Sequence, residues 1–284
     1  MSKYKESIMK TIFFVAACTS ILAVALICLF LFINGIPAMT KIGIFDFLMG
    51  TTWKPNNTPP SFGILPMILG SIYVTAGAAV IGVPIGILTA VFMAHYCPPK
   101  LYRILKPAIN LLAGIPSIVY GFFGLVVIVP FIRDTFGGAG SSMLAASILL
   151  GIMILPTIVG ISESAIRAIP QSYYEGALAL GASHERSIFF VILPAAKSGI
   201  MAAIVLGIGR AIGETMAVIM VAGNQARMPA GLLEGVRTLT ANIIIEMGYA
   251  AELHREALIA TSVVLFVFIL IINLLLSLLK RRTG

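Results

Sequence analysis

Of 284 residues, 59% are hydrophobic and 11% charged, and the mean hydropathy is +1.05. Soluble domains carry about 25% charged residues, so this composition excludes a water-soluble globular fold and makes lipid the solvent. The net charge of +8 does not point to nucleic acid, because the basic residues are scattered through short segments and form no basic face or stripe.

Runs without Asp, Glu, Lys or Arg extend between Lys10 and Lys41, Lys54 and Lys100, Lys106 and Arg133, Asp134 and Glu163, and from Ala257 to Leu279. A span needs about 20 mainly apolar residues. The runs predict an all-α integral membrane protein with six transmembrane helices, near 12–34, 67–93, 109–131, 143–162, 200–222 and 258–279. Cys18, Cys28 and Cys97 lie in or beside apolar segments and show no metal-ligand spacing, so they read as small buried side chains. Val15-Ala16-Ala17-Cys18 looks like a lipoprotein cleavage box, but hydrophobicity continues past it, so the segment reads as an uncleaved anchor.

Lys and Arg distribution sets the expected topology in the cell membrane. With the N-terminus inside, the inner segments hold Lys3, Lys5, Lys10, Lys100, Arg103, Lys106, Arg167, Arg186, Lys197, Lys280, Arg281 and Arg282. The outer ones hold Lys41, Lys54, Arg133, Arg227, Arg237 and Arg255, and Arg210 lies inside a span. Twelve against six places both termini in the cytoplasm. Two outer segments are long. Residues 35–66 contain Phe45, Phe47 and Trp53, expected to anchor an interfacial loop or a docking surface. Residues 223–257 carry four Glu and three Arg, with room for a short amphipathic helix at the interface.

The inner segment 163–199 is longer than a connector requires. Within it Ser172–Leu180 favours a helix, preceded by Pro170 and stopped at Gly181. Glu175-Gly176-Ala177, then Gly181, then Val191, Leu193 and Pro194 resemble the EAA signature of ABC importer permeases, with Gly176 in place of the commoner Ala. The resemblance implies that Glu175, Gly176, Ala177, Gly181, Leu193 and Pro194 form a coupling loop that seats in an ATPase subunit. Phe62–Pro66, Leu112–Gly121, Gly213–Val218 and Gly223-Asn224 are similar to phosphate permeases, the Glu214–Val218 run to the PstC-type subunit.

That resemblance implies a type I ABC importer permease core over residues 66–279. Residues 1–65 would add a tail, the first helix and an external loop, and residues 280–284 a basic cytoplasmic tail. It also implies partners: a second, PstA-type permease, two ATPase subunits that use ATP and magnesium, and an external phosphate-binding protein. The chain itself shows no P-loop and no His/Cys cluster, so it is expected to be non-catalytic and to bind no cofactor.

For the substrate path, Arg210 and Glu214 are the charged residues that the spans place deep in lipid. On a continuous helix their i, i+4 spacing puts them on one face, either as a structural ion pair or as a phosphate site. Ser117 and Tyr120, three apart, offer hydroxyls on nearly one face. Another oxyanion (molybdate, sulfate or phosphonate) and a stand-alone secondary transporter are the alternatives. A membrane-embedded enzyme is less consistent, since Glu163, Glu214 and the three histidines suggest no acid–base set.

Overall fold

The computed structural model describes the backbone of residues 2–283; the side chains of 2–4, 276 and 279–283 lie outside the described residues. Lys3, Lys280, Arg281 and Arg282 of the topology argument, and with them the basic tail, therefore cannot be placed by their side chains.

The described chain is mostly helical. Helix α1 (Ser2–Ile42) is followed by α2 (Ile44–Met49) and a small hairpin of β1 (Trp53–Lys54) and β2 (Ser61–Phe62). Helix α3 (Leu65–Val91) continues through a π-turn to Tyr96, and α4 (Pro99–Gly114) follows. Helices α5 (Ser117–Phe123) and α6 (Val129–Phe136) are joined by a π-turn into one span, and α7 (Met143–Arg167) returns. The inner segment carries α8 (Gln171–Ala179), α9 (His184–Ser187) and α10 (Leu193–Ala195). Then come α11 (Lys197–Gly213), α12 (Met216–Val221), α13 (Leu239–Met247) and α14 (Glu252–Thr283).

Among the described residues five helices are long and apolar enough to cross a membrane, and the pair 184–195 and 197–213, bent by 68°, brings the number to six when counted as one broken span. Most expected boundaries shift by a few residues or more, and at two of them the helix itself breaks. The third span begins at Ser117 rather than 109, because Ile115 and Pro116 are extended and detach α4. A residue before proline is driven out of the α region, and proline offers no N–H to the ladder. The fifth span ends at Gly213 rather than 222, with α12 as a separate short helix.

Helix α7 is the central post, packed on α3 and α11. With lipid outside, close packing must supply the cohesion that water would otherwise enforce. The α3–α7 seam is accordingly lined by small residues: a Cβ at Gly82 would come within 2.8 Å of the Gly151 carbonyl oxygen. The core around Leu149, Ile154, Ile158, Val218 and Val221 joins α5, α7, α11 and α12. Helix α1 packs on α14, and the rest of its apolar surface is open to lipid.

The outer end differs from the interfacial loop expected there. Phe47 and Trp53 are buried, and of the three aromatics only Phe45 is exposed. The reason lies far away in sequence: Trp53 Nε1 donates to Glu246 at 2.8 Å, and Glu246 also holds Arg237 and His254. Helix α13, expected at the interface, is instead packed inward with Leu239, Asn242 and Glu246 buried.

Candidate functional site

The fifth span is broken where its charge lies. Helix α11 stops at Gly213, and Glu214 takes an extended backbone (φ −71°, ψ 131°). The helical turn that would bring Glu214 beside Arg210 does not exist, and no salt bridge joins them among the described residues. The one-face arrangement expected from i, i+4 spacing is thereby corrected. Glu214 turns forward instead: its Oε1 accepts from the Ala217 amide at 3.2 Å, capping α12. Its carbonyl, released by the break, accepts from Thr240 Oγ1 at 3.2 Å. Arg210, half-buried on α11, reaches across to α7 and donates to Thr157 Oγ1 at 3.3 Å.

A second break lies at Ile115–Pro116, between α4 and α5. Pro116 cannot donate to the Leu112 carbonyl, and the Tyr120 hydroxyl donates to that oxygen at 2.8 Å. Tyr120 is buried on α5, and α5 packs directly on α12. The Tyr120 hydroxyl proton is thus committed to the backbone. Ser117 is half-buried at the start of α5. Arg210 thus stands one turn before the break that ends α11, its guanidinium partnered by a hydroxyl rather than a carboxylate among the described residues. Guanidinium is always charged and matches tetrahedral oxyanions through paired N–H bonds.

The inner loop follows the local reading closely. Helix α8 spans Gln171–Ala179 and ends in a Schellman turn: Ala182 N donates to Ala177 O at 3.1 Å and Gly181 N to Leu178 O at 2.9 Å. Gly181 has φ +85°, the left-handed conformation that favours glycine. Ser183 then caps α9 through Arg186 N. Glu175, Gly176 and Pro194 are exposed, Ala177 and Leu193 half-buried. Leu180, at the tip, is 92% exposed. The loop is tied back by Tyr174, whose hydroxyl lies 2.7 Å from His184 Nδ1.

Sequence reasoning missed the carboxylate that roots this loop. Glu163, expected in the loop, is in α7 and buried. It receives Lys106 at 2.6 Å, Tyr102 Oη at 2.7 Å and Arg167 Nε at 2.9 Å. The hydrogen bond to Glu163 pushes the Tyr102 phenol above its usual range. Arg167 also donates to the Met93 carbonyl at 2.7 Å and lies over the Tyr102 ring. The cluster therefore clamps α3, α4 and α7 together where the loop departs. An i, i+4 pair, Glu163 and Arg167, was the available signal.

Known proteins support the same architecture. The family model described as binding-protein-dependent transport system inner membrane component matches residues 82–284. A probable ABC transporter permease, YqgH of Bacillus subtilis, is 41% identical over 93% of this chain and 89% of its own length. The phosphate transport system permease protein PstC of Mesorhizobium japonicum is 34% identical, covering 89% and 84%. A probable PstC of Methanocaldococcus jannaschii is 32% identical, covering 87% and 84%. In fold, the chain resembles the MetNI methionine ABC transporter in inward-facing form, with TM-score 0.63 and 22% identity over 78% of this chain and 96% of that one. A bacterial alginate ABC transporter chain gives TM-score 0.68 and 16% identity over 95% and 94%. With six spans, a broken fifth helix and this agreement along most of its length, the chain belongs to the binding-protein-dependent transport system inner membrane component family and has the type I ABC importer permease fold.

Proposed function

We propose that this chain is the PstC-type permease subunit of an ATP-driven inorganic phosphate importer. The observation that carries the reading is Arg210: a guanidinium within the span, facing a hydroxyl and paired with no carboxylate among the described residues. A charge at the centre of a span costs about 3 kcal/mol on insertion scales, which a purely structural role must offset elsewhere. An anionic substrate would provide the missing partner. The PstC relatives, similar over most of their length, support phosphate as that anion. Glu214 keeps Oε2 free of hydrogen bonds among the described residues, and this oxygen would accept from a protonated phosphate but gain nothing from sulfate.

In this reading both termini are cytoplasmic, and the outer segments receive a phosphate-binding protein. Helix α8, with Glu175 and the bare apolar tip Leu180, seats in one of two ATPase subunits, which use ATP and magnesium. A PstA-type permease completes the path. The chain itself is non-catalytic: ATPase closure pulls on the α8 loop, and the breaks at Ile115–Pro116 and Glu214–Thr215 let the spans rock between outward and inward access. The Bacillus relative's name gives no substrate, so molybdate, sulfate and phosphonate are the competing anions.

The test is to co-purify the complex in nanodiscs and measure ATP hydrolysis with binding protein loaded with each anion. Stimulation by the phosphate-loaded form alone is expected. Equal stimulation by sulfate- or molybdate-loaded protein would remove the phosphate assignment, and the absence of any co-purified ATPase would remove the importer.

A further inference from the structure

Helix α4 is a separate element whose residues are sorted into three faces. Tyr102, Leu105, Lys106 and Ile109 are half-buried, with spacing i, i+3, i+4 and i+7, the signature of one helical stripe turned toward the bundle. Tyr102 and Lys106 are the two that reach buried Glu163. Leu101, Ile104, Ala108 and Leu111 form a second stripe that touches no core; Ile104 is 68% exposed and Leu111 73%. Lys100 and Arg103 form the third, also exposed, and neither has a carboxylate in salt-bridge range among the described residues.

An exposed apolar stripe flanked by unpaired cations is the pattern of a helix lying in the membrane–water boundary, with side chains among acyl chains and charges among headgroups. The position fits. Helix α4 follows the end of α3 and packs on α7 beside the root of the α8 loop, with Arg167 over its Tyr102 ring, the level at which a bilayer surface would meet the bundle. A protein partner's face would be expected to supply carboxylates to Lys100 and Arg103; an anionic headgroup supplies a phosphodiester to both while its chains cover Ile104 and Leu111.

We propose that α4 is a binding site for anionic phospholipid, with Lys100 and Arg103 as the headgroup ligands and the Leu101–Ile104–Leu111 stripe covered by acyl chain. Because α4 is bolted to Glu163 through Tyr102 and Lys106, an occupied site braces the element from which the α8 loop springs. The inference does not depend on which anion is transported.

The test uses the full chain in nanodiscs of phosphatidylcholine containing a minority of spin-labelled phosphatidylglycerol, reading the motionally restricted, protein-bound fraction by electron paramagnetic resonance. Wild type should select phosphatidylglycerol over an equally labelled phosphatidylcholine. Selectivity should fall by roughly five-fold per charge removed in Lys100→Gln and Arg103→Gln, and nearly vanish in the double variant. Arg133→Gln, at the other end of the bundle, should leave it unchanged. Retained selectivity in the double variant, or its loss in Arg133→Gln to the same extent, overturns the site. So does an efficient cross-link from cysteine at Ile104 to a second protein chain in the assembled complex, which would make the stripe a protein interface.

Discussion

Glu163 shows how a single buried charge organises one end of the molecule. Its carboxylate is 1% exposed, whereas Lys106 and Arg167, its partners, are 30% and 45% exposed. Removing a carboxylate from such a cluster strands two cations near lipid. Leaving a buried charge uncompensated costs about 3–5 kcal/mol, moderated here by the exposure of the cations. Glu163→Ala should therefore lower thermal stability in detergent by more than Glu175→Ala, whose side chain is exposed on α8 and hydrogen-bonded only to Gln171 among the described residues. Equal midpoints for the two variants would show that the cluster contributes nothing to stability. Arg210 contrasts with this arrangement, since its one described partner is neutral Thr157.

Among the elements, α8 was the most legible in sequence and the fifth span the least. Pro170 and Gly181 bracket α8 because a helix start tolerates proline and a Schellman end requires φ > 0. Hydropathy, by contrast, runs unbroken through Glu214, and the bond that stabilises the break comes from Thr240, 26 residues on. The separation of α4 from α5 could have been found, since the residue before Pro116 is biased to extended backbone. Trp53 was misassigned because its partner Glu246 lies 193 residues away. No local pattern reveals such a pair. Gly181→Val should strain the Schellman turn by about 1–2 kcal/mol, the cost of a left-handed L-residue. Nothing lies within 4 Å of the added Cβ, so the bundle should fold while transport per ATP hydrolysed drops. Unchanged coupling in that variant would show that the turn does not transmit force.

At the scale of the whole molecule, the structure separates several of the basic residues to its two ends. Lys100, Arg103, Lys106, Arg167 and Arg186 gather at the end that carries α8, while Lys41, Arg227 and Arg237 lie with the hairpin and α13 at the other. With Cys18, Cys28 and Cys97 first replaced by Ser, Lys197→Cys should be labelled by a membrane-impermeant maleimide only after the cytoplasmic face is opened. Lys54→Cys in the same cysteine-free background should be labelled in intact cells; the reverse pattern would invert the topology. The account as a whole turns on Arg210 as the anion-bearing residue of the path. The most direct measurement is uptake of radiolabelled phosphate into proteoliposomes holding the assembled complex with ATP and binding protein, comparing wild type with Arg210→Ala. The expected result is loss of uptake with assembly and basal ATP hydrolysis retained. Uptake at the wild-type rate by a fully assembled Arg210→Ala complex would contradict it.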